Sequence, residues 1–354
     1  MKSRVSEAID VREALGRSFK EWQQPGAAEL CDLLREMLGG DLSSRTIRLK
    51  RLKREVYRLR VGSGPGHTLV LKLLRPAIAQ TDRFVAERWL PALGLGDSCP
   101  RLLGAAAQRE GCWVWHIYED IGHETLAVHR EPSSLGAAVA LLVELHTRAA
   151  VHPLLPEVRW RACDYGMSFF TLNLRDAVTT LEALTTLRRR VPHEFQASRA
   201  RLLHRLHGLL EDAPRRVRVL TEVGGPDTLL HGDLWPKNVF ATMGAEGPRA
   251  RLIDWDHVGA GPFSYDVSTF LYRSSAEERP WIMQRYREAV ERAGWRLPGN
   301  EELNLLFHTA ESARCAHCIV WAAMALLHDG AEWAIGELMD FERWFAALRP
   351  PLPD

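Results

Sequence analysis

The stretch HGDLWPKNV, His231 to Val239, and the stretch LIDWDHVG, Leu252 to Gly259, place two carboxylates and an amide close together in the chain. These side chains are Asp233, Asn238 and Asp254, and Asp254 follows Asn238 by sixteen residues. A loop carboxylate can accept a proton from a nucleophile, and carboxylate and amide oxygens are ligands for hard cations such as Mg²⁺. Asp and Asn are also common in surface turns, but the two stretches in this order favour a catalytic site.

The composition is that of an ordinary globular chain. It has 354 residues, 46 basic and 45 acidic side chains, and a formal net charge of +1, which gives no indication of a nucleic-acid or membrane partner. The N-terminus lacks the apolar segment of a secretory signal, and no run of about 18 apolar residues is present. Six scattered cysteines are not typical of a disulfide framework. We therefore expect a cytoplasmic protein; its oligomeric state stays open.

The first third of the chain alternates apolar and basic residues with a period of two, which is typical of an antiparallel sheet with one solvent-facing side. The predicted elements are two helices within residues 5–38 divided at Pro25, two strands from Thr46 joined near Lys53–Glu55, a strand TLVLKLL after a glycine-rich turn at 62–66, a helix from Thr81 to Leu90 and a strand from Val114 to Asp120.

After Gly122 the pattern becomes mainly helical. The predicted helices are Leu135–Ala149, Phe170–Leu187, Ala197–Leu210 and most of Val267–Leu348, and the short predicted strands are TLLH, NVFA and ARLID. The glycine-rich GAGPF at 259–263 is predicted to break the last strand. A strand-rich first third and a helical remainder predict an α+β architecture in two lobes.

Five features stand in order along the chain. They are VLKLL with Lys72, the helix holding Glu87, IYEDIG at Ile117–Gly122, the helix ending ELHTRAA with His146, and HGDLWPKNV followed by IDWDHVGAGPFSYDV. Over most of the chain this order resembles the aminoglycoside phosphotransferase/choline kinase-like family of small-molecule kinases, and HGDLWPKNV matches H-x-D-L-x-x-x-N. The resemblance implies a bilobal protein-kinase-like fold. Its antiparallel sheet would belong to an N-terminal nucleotide-binding lobe at 1–119, and a larger, mainly helical catalytic and acceptor-binding lobe would follow at 120–354.

The resemblance also implies an activity and the residues that perform it. ATP would donate its γ-phosphoryl group to a hydroxyl of a small molecule. Asp233 would accept the proton of that hydroxyl or orient it, and Asn238 and Asp254 would hold Mg²⁺.

The nucleotide is expected to meet a second group of residues. An uncompensated ammonium is costly inside an apolar strand, so Lys72 is expected to pair with Glu87 and hold the α- and β-phosphates. The alternative for Lys72 is a snorkelling lysine at a strand edge. The backbone from Glu119 to Ile121 is expected to form the hinge that reads the adenine edge.

Three departures from the protein-kinase pattern bear on the acceptor and the nucleotide. The turn between the first two strands contains no glycine, so Lys53 and Arg54 are expected to contact phosphates through their side chains. Gly232 replaces the arginine of H-R-D, and only eleven residues separate Asp254 from Asp266. This leaves no room for an activation segment, which favours a small-molecule acceptor over a protein.

Several neighbouring residues have simpler interpretations. Asp256 is expected to be a solvated neighbour, with a second metal contact as the alternative, and Asp266 to brace the catalytic loop. His231 is expected to brace the loop and His146 to be structural. Cys315 and Cys318, in C-A-H-C, are interpreted as core residues and not as zinc ligands. Trp235 packs below the loop or lines the acceptor site, and Glu119 and Asp120 are expected to be solvated.

The acceptor itself stays open. Kinases for cationic acceptors line their cleft with acidic or aromatic groups, and the candidates here are Asp164, Tyr165, Glu277, Glu278, Glu311 and Asp329. The sequence leaves three hypotheses: an antibiotic-modifying kinase for resistance or self-protection, a primary-metabolism kinase of the sugar, choline or homoserine type, and a nucleotide-binding pseudokinase with a regulatory role.

Overall fold

The computed structural model describes residues 24–39, 47–62, 67–186, 192–244 and 247–353. Its contacts divide the chain into two compact units. The first contains the residues up to Glu124 together with Ala250–Asp256, and the second contains Thr125–Arg249 and the residues from His257 onward. The functional division predicted at residues 119 and 120 stays a prediction. The helix predicted before Pro25 and most of the turn predicted at 62–66 lie outside the described residues.

The first unit is built on a five-stranded antiparallel sheet with the order β1-β2-β3-β5-β4. The strands are β1 (Ile47–Lys53), β2 (Val56–Val61), β3 (His67–Leu74), β4 (Leu102–Ala107) and β5 (Val114–Glu119). The four predicted strands are thereby confirmed. Strand β4, LLGAAA, is not predicted by its sequence because Gly and Ala are poor strand formers, and its register with β5 supplies the missing stabilisation.

Helix α1 (Ala27–Leu38) forms the core of this unit with the sheet. Leu30 and Leu34, one turn apart, are fully buried. They belong to one apolar cluster with Tyr57 and Trp115, whose ring centroids lie 5.8 Å apart. The Trp115 indole N–H donates to the Pro25 carbonyl at 2.9 Å, which satisfies the polar atom of a buried ring.

The helix predicted from Thr81 to Leu90 is longer than expected. It begins as α2 (Pro76–Phe84), passes through a π-helical turn at Val85–Trp89 and continues through Leu90–Ala92. Pro76 stands at the start, where its missing N–H costs nothing. Pro91 was expected to end the helix, but it lies just beyond the π-helical turn, where the regular hydrogen-bond pattern is already interrupted.

The second unit is mainly helical, as predicted. Its described helices are α3 (Pro132–Ala150), α4 (Leu155–Arg161), α5 (Met167–Ala183), α6 (His193–Glu211), α7 (Ala213–Val223), α8 (Ser264–Tyr272), α9 (Glu278–Arg292), α10 (Asn300–Asp329) and α11 (Trp333–Ala347). The long α10 packs against α5, α8 and α11. Of these helices, α4 and α7 are not predicted by the sequence pattern.

A small three-stranded sheet with the order β6-β10-β7 lies in the same unit. It contains β6 (Cys163–Asp164), β7 (Asp227–Leu230) and β10 (Gly259–Pro262), while β8 (Val239–Gly244) and β9 (Gly247–Leu252) follow the loop after β7. The strand predicted at ARLID ends at Leu252, before GAGPF, as expected, but Gly259–Pro262 then forms a strand of its own, β10, which the sequence pattern does not predict. A Cβ on Gly259 would lie 2.2 Å from the Cys163 carbonyl oxygen, so glycine permits the close approach of β6 to β10.

In the described part of the chain, no single helix has both the length and the apolar character to cross a bilayer. The bent pair of α3 and α4 passes the same criterion jointly, on length and composition only. Leu142 and Leu145 of α3 are buried within the unit, as core residues are.

The central strand β3 yields a stability prediction. Leu71 is fully buried in the core of the first unit, so Leu71→Ala should lower the free energy of unfolding by about 3 kcal/mol through lost burial and a cavity. Leu52→Ala, at a β1 position that is 43% exposed, is the matched control and should cost well under about 1 kcal/mol. Urea unfolding followed by tryptophan fluorescence measures both; equal losses would contradict the packing described.

Candidate active site

The loop after β7 carries the first two predicted site residues and ends in a single 3₁₀ turn, Pro236–Asn238. The Asn238 amino group donates to the Asp233 carbonyl oxygen at 2.9 Å and to its carboxylate Oδ2 at 3.1 Å. Because both bonds use the amino group, the amide oxygen of Asn238 is the atom suited to a cation. The structure therefore brings Asp233 and Asn238 together.

Gly232 allows the loop to turn at this point. Its φ is +80°, and a Cβ there would lie 1.7 Å from the His257 carbonyl oxygen. Both the left-handed backbone and the lack of space exclude a side chain. The arginine of H-R-D could not stand here, so the departure noted in the sequence is a requirement of this loop geometry.

Asp266 at the start of α8 braces the loop from a fully buried position, and this prediction is confirmed. Its carboxylate accepts the His231 N–H at 2.6 Å and the Gly232 N–H at 2.9 Å. Burial by itself would raise the pKa of Asp266, but His146, His231 and the backbone donor lower it below its usual value. His146 is also buried, with Nδ1 2.8 Å from the Tyr286 hydroxyl, which confirms its structural interpretation.

A buried arginine holds the same loop from the other side. Arg314 on α10 donates through Nη1 to the Gly232 carbonyl at 2.7 Å. Glu311, one turn earlier and fully buried, lies 3.4 Å from Arg314 and 2.8 Å from Arg273. Burial would lower the pKa of Arg314, but Tyr265, Glu311, Tyr165 and Asp233 together raise it. The sequence signal for this cluster is a pair of opposite charges at i and i+3 inside an apolar helix.

In the first unit, Lys72 of β3 is surrounded by carboxylates. Its Nζ lies 2.7 Å from Asp254 Oδ1, 2.6 Å from Asp256 Oδ1 and 3.6 Å from Asp82 Oδ2. The second oxygen of Asp254 accepts from Lys53 Nζ at 2.7 Å. Lys72 is thus a buried, paired ammonium and not a snorkelling one, and Asp256, expected to be solvated, is one of its partners.

The pKa values of these groups follow from burial and pairing. Burial would lower the pKa of Lys72, but Asp82, Asp254 and Asp256 raise it above its usual value. Burial would raise the pKa of Asp254, but Lys72 and Lys53 hold it below its usual value. Burial raises the pKa of Asp82 to about 6, although Lys72 and the Tyr118 hydroxyl act in the opposite direction.

The expected helical partner of Lys72 must be corrected. Glu87 instead bonds Arg83 at 2.7 Å, and its side chain is 47% exposed. The position near Lys72 belongs to Asp82, which is 7% exposed. Asp82 is in phase with the buried Val85 and Trp89 on the helix, and this periodicity is the signal that could have identified it.

The backbone at Asp254 is strained. Among the described residues, Asp254 is the one non-glycine residue with a positive φ, at 67°. Such a conformation costs about 1–2 kcal/mol for a residue with a Cβ. Its retention beside two ammonium groups points to a functional position.

The remaining nucleotide candidates lie at the edges of the same unit. The Glu119 carboxylate accepts from Arg101 and Arg251, and Asp120 is paired with Arg58, so neither is simply solvated as expected. Ile121 follows β5 in a half-buried position. Its hinge role, and that of Glu119, stay predictions.

A cavity of about 560 Å³ lies beside β3 in the first unit. Its charged lining consists of two carboxylates, Glu55 and Asp256, and four basic side chains: Lys53, Arg54, Lys72 and Arg75. Arg54 is 89% exposed and Lys53 59% exposed, so both side chains are accessible from solvent. A basic cavity of this kind suits a polyphosphate.

The donor atoms fit Mg²⁺. No group of three His, Cys, Asp or Glu side chains in the described residues could cage a metal ion. Mg²⁺ is normally held by one or two protein oxygens with phosphate oxygens and water completing its shell. The Asp254 oxygens already meet two positive charges, so this carboxylate is a place where a cation is favoured.

The acidic acceptor candidates are mostly engaged. Asp164 lies 3.4 Å from Arg159, Glu278 lies 2.6 Å from Arg130, and Glu311 is buried between arginines. Tyr165 is buried and donates to the His257 carbonyl at 2.6 Å. Glu277 and Asp329 are exposed.

The loop geometry predicts that Gly232→Ala is far more damaging than an ordinary glycine substitution. Gly111 also has a positive φ, 73°, but a Cβ there would meet no atom within 4 Å, so Gly111→Ala is the matched control. The control should lose about 1 kcal/mol of backbone energy, whereas Gly232→Ala should lose several times more because the His257 carbonyl must move. Thermal unfolding of both variants tests this, and equal shifts in Tm would contradict the contact.

The buried His116 predicts a pH dependence of stability. Burial and the charge of Lys72 lower its pKa from 6.5 to about 4. As the pH falls from 6.5 towards 4, His116 binds a proton in the unfolded chain but not in the folded chain, so the free energy of unfolding decreases. His116→Gln should flatten that slope, and the exposed His328→Gln should not. Urea unfolding at pH 7 and pH 5 measures the slopes; an unchanged slope in His116→Gln would disprove the assignment.

Comparison with known proteins agrees with this geometry. Residues 47–299 match the family model described as "Phosphotransferase enzyme family". Curated protein sequences give no match. Among solved structures, the chain resembles an ethanolamine kinase of Plasmodium vivax with a TM-score of 0.60 and 13% identity, covering 98% of this chain and 96% of that one.

Two further solved structures are similar. A choline kinase from Cryptosporidium parvum Iowa II has a TM-score of 0.57 and 12% identity over 94% of this chain and 95% of that one. A spectinomycin phosphotransferase in complex with ADP and spectinomycin has a TM-score of 0.55 and 12% identity over 90% of this chain and 98% of that one. These likenesses confirm the protein-kinase-like α+β fold. With the family model matching well over half of its length, the chain belongs to the phosphotransferase enzyme family.

Proposed function

We propose that this protein is an ATP- and Mg²⁺-dependent kinase that transfers the γ-phosphoryl group to a hydroxyl of a small molecule. The observation that carries the proposal is the Asp233 carboxylate held 3.1 Å from the Asn238 amino group on a braced loop. This arrangement fixes a proton acceptor next to an amide whose oxygen suits a metal ion.

In the proposed reaction Asp233 orients the acceptor hydroxyl and takes its proton as the oxygen attacks phosphorus. In phosphoryl transfer the protein itself does little covalent chemistry. Positioning of the reactants by a rigid loop is therefore expected to contribute much of the rate enhancement. Gly232, Asp266 and Arg314 supply that rigidity. They fix the backbone on which Asp233 stands.

Asn238 and Asp254 would hold Mg²⁺, which when bound neutralises charge on the phosphates. Lys72, kept charged by its carboxylate neighbours, would bind the α- and β-phosphates. For phosphates to be reached, Lys72 must exchange part of its contact with Asp254 and Asp256 for phosphate oxygens. Asp82 would remain beside the Lys72 ammonium. It would thus perform the pairing role predicted for Glu87 from the sequence.

Lys53 and Arg54 are proposed to bind phosphate oxygens through their side chains, in place of the backbone amides of a glycine-rich turn. Both line the basic cavity, and the turn between β1 and β2 that carries them has no glycine. The hinge backbone from Glu119 to Ile121 is proposed to meet the adenine edge.

A small acceptor is favoured by the segment that follows Asp254. The chain enters β10 at Gly259 and α8 at Ser264, so these residues are ordered by secondary structure. A protein kinase uses the corresponding segment to bind a peptide and to carry a regulatory phosphate. The eleven residues between Asp254 and Asp266 are too few for either function.

The relatives leave two classes of small acceptor within the proposal. Their titles name spectinomycin in one case and ethanolamine or choline kinases in others. An antibiotic-modifying kinase and a primary-metabolism kinase are therefore both consistent with the site. The pseudokinase hypothesis is disfavoured because Lys72, Asp233, Asn238 and Asp254 are all present and all engaged in polar contacts.

Asp233→Ala tests the reaction. Purified protein, ATP and Mg²⁺ are incubated with a panel of aminoglycosides, nucleosides, macrolides, sugars, hydroxy acids and amino alcohols, and acceptor-dependent ADP release is followed. Asp233→Ala should reduce kcat by at least about a hundredfold, since general acid–base catalysis contributes about that much, while ATP binding by calorimetry is retained.

Asp97→Ala, at an exposed position of the first unit, is the matched control and should behave as wild type. Full activity in Asp233→Ala would remove this residue from its role. ATP binding without acceptor-dependent turnover across the whole panel would favour the pseudokinase.

A further inference from the structure

Trp235, two residues after Asp233, is already in contact with two cations of the chain itself. Lys237 Nζ lies 4.6 Å from the centroid of its ring, and the guanidinium carbon of Arg273 lies 4.4 Å from it. Arg273 also lies 5.2 Å from the ring of Trp344 on α11. The face of an aromatic ring can bind a ligand ammonium, but this ring already has that interaction with cations of the chain itself.

The carboxylate near this cluster is also engaged. Glu311 is fully buried, and its two oxygens contact Arg273 and Arg314. Glu311 is therefore not available to a cationic ligand, and Asp233 is reserved for the reacting hydroxyl.

Lys237 is the accessible charge of the cluster. It is exposed, and the described residues give it no ion pair. The other charges near the loop are largely buried and engaged: Arg273 and Arg314 contact Glu311, and Asp266 accepts two backbone N–H groups of the loop. The chain has only six lysines among its 46 basic residues. The accessible positive charge that this loop places beside Asp233 is therefore that of Lys237.

An acceptor hydroxyl must come within hydrogen-bond distance of Asp233 to react. The rest of that molecule then lies against the residues of the same loop, Trp235 and Lys237 among them. An ammonium group there would be repelled by Lys237 and find its aromatic receptor occupied, whereas a carboxylate or phosphate group would be attracted.

We propose that the acceptor of this kinase carries no positive charge near the reacting hydroxyl, that a hydroxyl compound bearing a carboxylate or phosphate group is preferred, and that Lys237 sets this selection. The inference rests on the proposed function. It departs from the cationic acceptors that the titles of the similar structures name. Lys237 acts here as a specificity-determining residue and takes no part in the proton transfer.

Three acceptor classes test the proposal with wild-type protein. Glycerate and gluconate represent anionic hydroxyl compounds, ribose and adenosine neutral ones, and ethanolamine, choline and kanamycin cationic ones. We expect kcat/KM to be highest for an anionic acceptor, lower for neutral ones, and at least tenfold lower still for every cationic one. Calorimetry in the presence of ADP and Mg²⁺ should show the same order of binding.

Lys237→Glu supplies the second measurement. Reversing this charge should lower the ratio of kcat/KM for anionic over cationic acceptors by at least tenfold, mainly through KM. Lys237→Arg keeps the charge and should retain the wild-type ratio. Lys50→Glu, at an exposed position on β1, makes the same charge change elsewhere and should also retain it.

The outcomes are distinguishable. Wild-type turnover of ethanolamine, choline or kanamycin at a kcat/KM equal to that of the anionic acceptors overturns the inference and leaves the proposed function intact. An acceptor ratio in Lys237→Glu equal to that in Lys50→Glu removes Lys237 from the role. ATP binding without turnover of any acceptor overturns the proposed function and this inference with it.

Discussion

The catalytic loop depends on one buried carboxylate. Asp266 is fully buried and accepts two consecutive backbone N–H groups, those of His231 and Gly232. Burying a carboxylate without hydrogen-bond donors costs folding free energy, and so does burying two N–H groups without an acceptor. The Asp266 carboxylate and the two N–H groups therefore depend on one another. Satisfying both holds Gly232 in its left-handed conformation against the His257 carbonyl, and that turn sets the backbone direction of Asp233.

The same logic of mutual compensation organises both units. In the first, Lys72 is acceptable in the interior because three carboxylates surround it, and the strained Asp254 is acceptable because two ammonium groups bind its oxygens. In the second, Glu311 offsets part of the positive charge of Arg273 and Arg314. Breaking one partner of such a group leaves an uncompensated charge, so these clusters specify one arrangement even where their net contribution to stability is small. Charges that are held in place need no reorganisation when a charged substrate binds, which suits the proposed activity.

Prediction from sequence succeeded where a local pattern carries the information and failed where packing decides. The four predicted strands of the first sheet follow from alternation, and the loop residues follow from a motif with fixed spacing. Strand β4 and strand β10 were missed because Gly and Ala are poor strand formers and become strands only by pairing with β5 and with β6 and β7. The helical partner of Lys72 was assigned to Glu87, although Asp82 shares the buried face with Val85 and Trp89. The spacing of Asp82, Val85 and Trp89 is visible in the sequence. The predicted helix began at Thr81, however, and only the structure showed that it begins at Pro76, so that Asp82 lies well inside it.

The sequence by itself determined the reaction class: HGDLWPKNV, IDWD and Lys72 are the parts that phosphoryl transfer requires, and their order and spacing are readable without coordinates. It also indicated that no activation segment fits after Asp254. The exclusion of an arginine at Gly232 came from the structure, through its positive φ and the nearby His257 carbonyl. Only the tertiary structure decided which charges meet. Five charged residues have partners that no sequence motif indicates and that are known only from contacts in the structure: Asp82, Asp256, Arg273, Glu311 and Arg314. Coulomb interactions depend on distance in space and on burial, and neither quantity is encoded in sequence separation.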